Sequence, residues 1–153
     1  MGVNDHDIDI LNDLIATTID SADGFGRAAE DADSGRFRTL FRDFAQERRR
    51  LAARLQERVR QLDGTPVANR SFAGELHRRW EDLKAAIAGK DDRAVVEQIE
   101  RGEDRIKEKY EEALRDRSIS PPTRDVIEQC FVSVLRGHDT ASRLKHGMQR
   151  AEA

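Results

Sequence analysis

Four long stretches of this chain carry apolar residues at alternating steps of three and four, the repeat of an amphipathic helix and not of a strand. The first stripe runs Ile8, Leu11, Ile15, Thr18, Ala22, Phe25, Ala29. The second is Phe37, Leu40, Phe41, Phe44, Leu51, Leu55, Val59, Leu62; the third is Val95, Ile99, Ile106, Tyr110, Leu114. The fourth reads Ile127, Cys130, Phe131, Val134, Ala141, Leu144 and reaches towards Met148. Helices that are apolar along one side must bury those sides against one another, which confines the chain to an all-α bundle. Three of the stripes are broken at mid-length by a polar residue: Glu47, Glu103 and His138. Inward acids and imidazoles at one level are how helical bundles build metal sites.

Composition agrees with long solvated helices: 37% of residues are charged and 5% aromatic. A net charge of −3 gives no general attraction for nucleic acid or anionic lipid. The Arg48-Arg49-Arg50 run is read as neutralising the Asp-rich first helix, since it lacks the interleaved aromatics of single-strand binders. Cys130 is the single cysteine, so no intrachain disulfide forms and a reducing compartment is expected. The start, MGVNDHDIDI, lacks the basic and apolar regions of a signal peptide, and no window reaches the roughly 18 apolar residues of a membrane span. A cytoplasmic protein is expected, with neither nucleic acid nor membrane as partner.

Turn chemistry divides the chain. Asn4 or Asp5 is expected to cap the first helix, Ser34 the second, Ser71 and Asp91 the next two, and Ser120-Pro121 the last. Asp63-Gly64-Thr65-Pro66 and Gly89-Lys90-Asp91 read as breaks. One domain over 1–153 follows, with long helices over about 5–32, 36–62, 92–116 and 121–147, and a shorter one over about 72–88. The end beyond Gly147 is expected to fray. The shorter helix, with Phe72, Leu76, Trp80, Leu83 and Ile87 on one side, spans roughly 25 Å at 1.5 Å per residue. That length suffices to carry the chain from one end of a bundle back to the other. Two antiparallel hairpins joined by a helical crossover are therefore expected, the ferritin-like four-helix bundle connection.

The run ELHRRWEDLKAAIAGKDDRAVVEQIERGEDRIKEKYEEAL, from Glu75 to Leu114, resembles an uncharacterised family of small bacterial ferritin-like bundle proteins, a domain of unknown function. The likeness rests on Leu76-His77-Arg78-x-Trp80, on Gly102-Glu103-Asp104 and on the Tyr-x-x-Ala-Leu step ending at Leu114, and extends to LNDLIATTIDSADGF near the start. The resemblance implies a ferritin-like bundle, stress adaptation as context, and no established activity.

A carboxylate-bridged di-iron site takes one Glu from each of two helices and Glu-x-x-His from each of the other two. Glu47 has Arg50 where the His is required, and His138 has Leu135 where the Glu is required. Glu103 has Tyr110 two turns on, and the first helix offers Asp20 and Asp23 beside Ala22. With a crossover, Glu103 lies about 17 Å and Glu47 about 19 Å from the same end of the bundle, with His138 displaced by roughly one turn. The candidate metal set is therefore Glu47, Glu103 and His138 with Asp20 or Asp23, suited to iron, manganese or zinc. The alternative is a metal-free polar layer in which Arg48 or Arg50 neutralises Glu47 or Glu103. The two missing ligands favour the alternative.

No glycine-rich phosphate loop, nucleophile elbow or Cys-x-x-Cys pair is present, so no catalytic residue is assigned. Cys130 reads as a buried small hydrophobe, and Gly102 and Gly137 as close approaches between helices. The expected function is a non-catalytic binding or structural module, homodimeric through leftover apolar surface. The rival is an atypical di-iron-type metalloprotein in iron handling or oxygen detoxification.

Overall fold

The computed structural model describes residue 2 and residues 4–68 and 74–152, with the side chains of 74–79, 149, 151 and 152 left aside. Five helices account for almost all of it: α1 (Asp5–Asp31), α2 (Gly35–Gln61), α3 (Gly74–Ala88), α4 (Asp92–Arg115) and α5 (Pro121–Glu152). No strand occurs among the described residues. The connections between α1 and α2 and between α4 and α5 are short, and each pair packs as a helical hairpin. α1 also packs on α4, α2 on α5, and α3 lies against α1 and α4.

The core is two apolar clusters stacked along the bundle. One joins the end of α1 (Phe25, Ala28, Ala29), the start of α2 (Phe37, Phe41, Phe44), the start of α4 (Val95, Val96, Ile99) and Ala141 of α5. Its centre is a run of stacked rings, with Phe25 and Phe44 centroids 4.7 Å apart and Phe37 and Phe41 6.0 Å apart. The other joins Leu11, Leu14 and Ile15 of α1, Leu51, Leu55 and Val59 of α2, Ile106 and Tyr110 of α4, and Ile127, Cys130 and Val134 of α5. Since α2 and α4 both start in the first cluster and finish in the second, they run in the same direction. The chain must travel the length of the bundle between them. Val67 still packs on the second cluster, whereas Leu83 and Ala86 of α3 are in the first. The departure is pinned: Asn12 donates to the Thr65 carbonyl at 3.3 Å and accepts from the Val67 N–H at 3.0 Å, and Gln56 donates to the Val67 carbonyl at 3.0 Å.

Several expected helix ends differ in detail. Neither Asn4 nor Ser34 makes a side-chain cap hydrogen bond. Arg38 of α2 donates instead to the Ala32 carbonyl at the C-terminal end of α1, at 2.8 Å. Asp91 does cap α4, accepting from the Ala94 N–H at 3.2 Å. Ser71 and Phe72 lie outside the described residues, as do the side chains of Leu76, His77 and Arg78. α5 runs through Gly147 to Glu152, and among the described residues no glycine takes the positive φ that would end a helix. Among the described residues the left-handed ones are Asp63 (φ 60°) and Lys90 (φ 53°). In each case the next N–H reaches back to the carbonyl five residues earlier, Gly64 to Val59 at 3.0 Å and Asp91 to Ala86 at 3.3 Å. These are the closing bonds of Schellman motifs with a non-glycine residue at the turn. Gly64 is held to glycine by space, since a Cβ there would sit 2.8 Å from Ile8 Cδ1.

Asp7 ties the first turn of α1 to the start of α5. It is buried, and its carboxylate accepts from the Ser120 hydroxyl at 2.6 Å and the Ser120 N–H at 3.2 Å. Burial pushes the carboxyl upwards, but hydrogen bonds from Ser120 and Thr123, aided by the Arg58 charge, bring it below the usual aspartate value.

Replacing Lys90 with Gly should raise stability by up to about 1 kcal/mol in urea unfolding, because the left-handed strain it removes outweighs the loss of an exposed 4.0 Å pair with Asp33. Asp7→Asn should lower stability at pH 7 by about 1–2 kcal/mol. A depressed folded-state value means the contribution of Asp7 is present above the unfolded-state value and vanishes as pH falls through the folded one. The wild-type and variant Tm curves should therefore converge in acid.

Candidate functional site

Between the two apolar clusters lies one charged layer. On α2 the inward line is Phe41, Phe44, Arg48, Leu51, Leu55, so Arg48 occupies the core position between an aromatic and a leucine. On α4 the line is Val96, Ile99, Glu103, Ile106, Tyr110. Arg48 and Glu103 are each without solvent exposure, and they meet as a two-pronged ion pair. Arg48 Nη1 donates to Glu103 Oε2 at 2.8 Å and Nη2 donates to Oε1 at 2.6 Å. Nη1 also donates to Ser21 Oγ of α1 at 2.9 Å. The guanidinium carbon lies 5.4 Å from the Phe44 ring centre, within cation–π range.

The fourth helix contributes by what it lacks. A Cβ built on Gly137 of α5 would collide with the Glu103 carboxylate, and would stand 2.5 Å from Arg48 Nη2 and 3.0 Å from Phe44 Cε1. Only glycine leaves room for the pair. Thus α1, α2, α4 and α5 meet at Ser21, Arg48, Glu103 and Gly137.

Glu47 stands beside this centre. Its Oε1 is 3.8 Å from Arg48 Nε, and the side chain retains 28% exposure. Both atoms are buried without a hydrogen-bond partner. Burial raises the Glu47 carboxyl above its ordinary value; Arg48 pulls it down, Glu103 pushes it up, and Arg50 and Arg136 pull it down more weakly. Burial works to lower the Arg48 value, but the Glu103 charge and hydrogen bonds outweigh it and raise it overall.

One turn and more along the bundle, Tyr110 shares a 2.8 Å hydrogen bond with Thr18, whose hydroxyl is also 2.7 Å from the Leu14 carbonyl. Burial raises the Tyr110 phenol well above its ordinary value. Burial likewise pushes the Cys130 thiol up to about 11, so it packs as a neutral thiol and not as a nucleophile.

The five candidate ligands separate in space. Glu103 is in the layer and Glu47 at its edge. His138 lies one residue beyond the inward Gly137 and forms a 2.7 Å pair with Asp104 on the flank of α4. Asp23 is 40% exposed and 4.0 Å from Arg49. Asp20 is buried and engaged in an interaction of its own. Among the described residues no three His, Cys, Asp or Glu side chains come together as a donor set for a metal ion. Sequence reasoning singled out Glu47 as the inward residue of α2, where the structure has Arg48. It placed His138 inward on α5, where the structure has Gly137. In each case the stripe admits two phases one residue apart, and steps of four then three, as in Phe44-Arg48-Leu51, fit as well as three then four.

Gly137→Ala should destabilise the bundle by about 2–3 kcal/mol, against the usual helical preference for alanine. Gly102→Ala, with nothing within 4 Å of the new methyl, should instead gain up to about 1 kcal/mol. Urea midpoints of the two variants on opposite sides of wild type would bear this out; equal midpoints would remove the steric role of Gly137.

No curated protein matches the chain. Residues 6–116 match a family described as a domain of unknown function, DUF2383. The match takes in α1 to α4, with Ser21, Glu47, Arg48 and Glu103, and ends before α5. It covers well over half of the sequence, and the chain belongs to this family of helical proteins, the DUF2383 domain of unknown function.

Proposed function

We propose that this chain is a ferritin-like four-helix bundle acting in the cytoplasm as a non-catalytic binding or structural module, its central layer neutralised by its own guanidinium. The observation that carries the reading is the commitment of Arg48. It is fully buried and engages both oxygens of Glu103. A carboxylate bonded in this two-pronged way has one lone pair on each oxygen occupied, and an arginine, which does not lose its proton, keeps a positive charge where a metal cation would have to sit. The order hairpin, helical return, hairpin supports the ferritin-like assignment, because simple up-and-down bundles need no return segment. The stress-related context rests on the family resemblance of the sequence alone. For a homodimer the support is Val132 on the outer side of α5, a large hydrophobic residue left half exposed.

The rival reading, a di-iron-type metalloprotein for iron handling or oxygen detoxification, would use Glu47, Glu103, His138, Asp20 and Asp23. One observation favours it: Glu47 and Glu103 converge on the same guanidinium. It requires Arg48 to leave the core and His138 to leave Asp104.

Elemental analysis of untagged protein after aerobic iron loading separates the two. The module reading expects metal far below one equivalent per chain; one or two irons per chain would establish the rival. Sedimentation should give a dimer, and a monomer at every concentration would remove that part.

A further inference from the structure

We propose that the point where α1, α2, α4 and α5 meet is a binding site for a planar guanidinium cation, which the chain fills with its own Arg48 side chain. An ion pair alone needs one carboxylate. Here the terminal nitrogens and the face of the guanidinium are met separately, while Nε makes no hydrogen bond. Its outer edge faces the two oxygens of Glu103, at 2.8 and 2.6 Å, and the second hydrogen on Nη1 is directed to Ser21 Oγ at 2.9 Å. Its face lies over Phe44, at 5.4 Å. Its Nε faces a second carboxylate, Glu47, at 3.8 Å. The plane fits because Gly137 has no Cβ to intrude. A two-pronged acceptor, a further acceptor on one prong and an aromatic face together select a flat cation with a donor fork. A spherical metal ion or a tetrahedral ammonium uses fewer of these contacts.

The proposal rests on the metal-free reading of the layer and deepens it. Cutting the tether without altering the walls, as in Arg48→Ala, leaves Glu103 buried without its counter-ion, and a small guanidinium compound should take the vacated place. The experiment follows the Tm of full-length Arg48→Ala in a chelator, titrated with millimolar methylguanidinium chloride and compared with equal sodium chloride and methylammonium chloride. Arg48→Ala should melt well below wild type and recover by roughly 3–6 °C, saturably, with methylguanidinium alone. The double variant Arg48→Ala/Glu103→Gln, which removes the two-pronged carboxylate, should show no such recovery. If Arg48→Ala is unfolded without additive, regained helicity by circular dichroism is read in the same way. A response no greater than that to sodium chloride, or an equal one in the double variant, overturns the proposal. Stoichiometric iron in the wild-type chain would instead overturn the metal-free reading. The two failures are therefore distinguishable.

Discussion

Arg48 and Glu103 sit in the middle of the bundle with no exposure to water, and removing either partner from such a pair costs about 3–5 kcal/mol because the other charge is left stranded. The pair as a whole adds little net stability over well-packed apolar residues. What it supplies is discrimination. A leucine tolerates a shift of half a turn by finding another neighbour, whereas a two-pronged ion pair has one satisfactory geometry. Sliding α5 by one residue would bring the backbone of Arg136 or His138 to the place of Gly137, each with a Cβ the guanidinium has no room for. The charged layer thus fixes the relative heights of the long helices, while the apolar clusters above and below provide the driving force.

That division of labour depends on topology. Arg48 lies near the middle of α2 and Glu103 near the middle of α4, and the two helices point the same way. Two helices that are parallel and near in sequence cannot be joined by a tight turn, so a return segment is obligatory. Its first residues are held by Asn12 and Gln56 through the backbone at Thr65 and Val67. Side-chain amides suit the task, because an extended linker lying on helices has no ladder of its own to satisfy its N–H and C=O groups.

The helices, the hairpins and the existence of a polar layer were legible in the sequence, because each comes from periodicity, turn chemistry or an interrupted stripe. The identity of the inward residues was not. Glu47 and Arg48 are adjacent, and 100° of rotation separates them; an acid among apolar neighbours draws attention as a ligand, while an arginine is read as solvated. As sequence, Arg48 reads as no more than a counter-ion, although it is the larger and more deeply buried group. Gly137 reads as a close helix approach, when its neighbour is an ion pair. A residue without a side chain carries no signal of what fills the space beside it.

The family match ends at residue 116, yet contacts made within the matched part are completed beyond it. The ion pair between Arg48 and Glu103 lies within it, and so does the carboxylate of Asp7, but each is completed by the fifth helix. Without α5, Glu103 and Arg48 would face solvent on the side that Gly137 covers, and Asp7 would lose the hydroxyl and N–H of Ser120. Ile106, Tyr110, Leu51 and Leu55 would lose Ile127, Cys130 and Val134 from their cluster. The remaining helices α1 to α4 would hold the charge pair in contact with water along one edge, where its mutual attraction falls several-fold. The smallest unit able to keep this layer dry is therefore the bundle through α5.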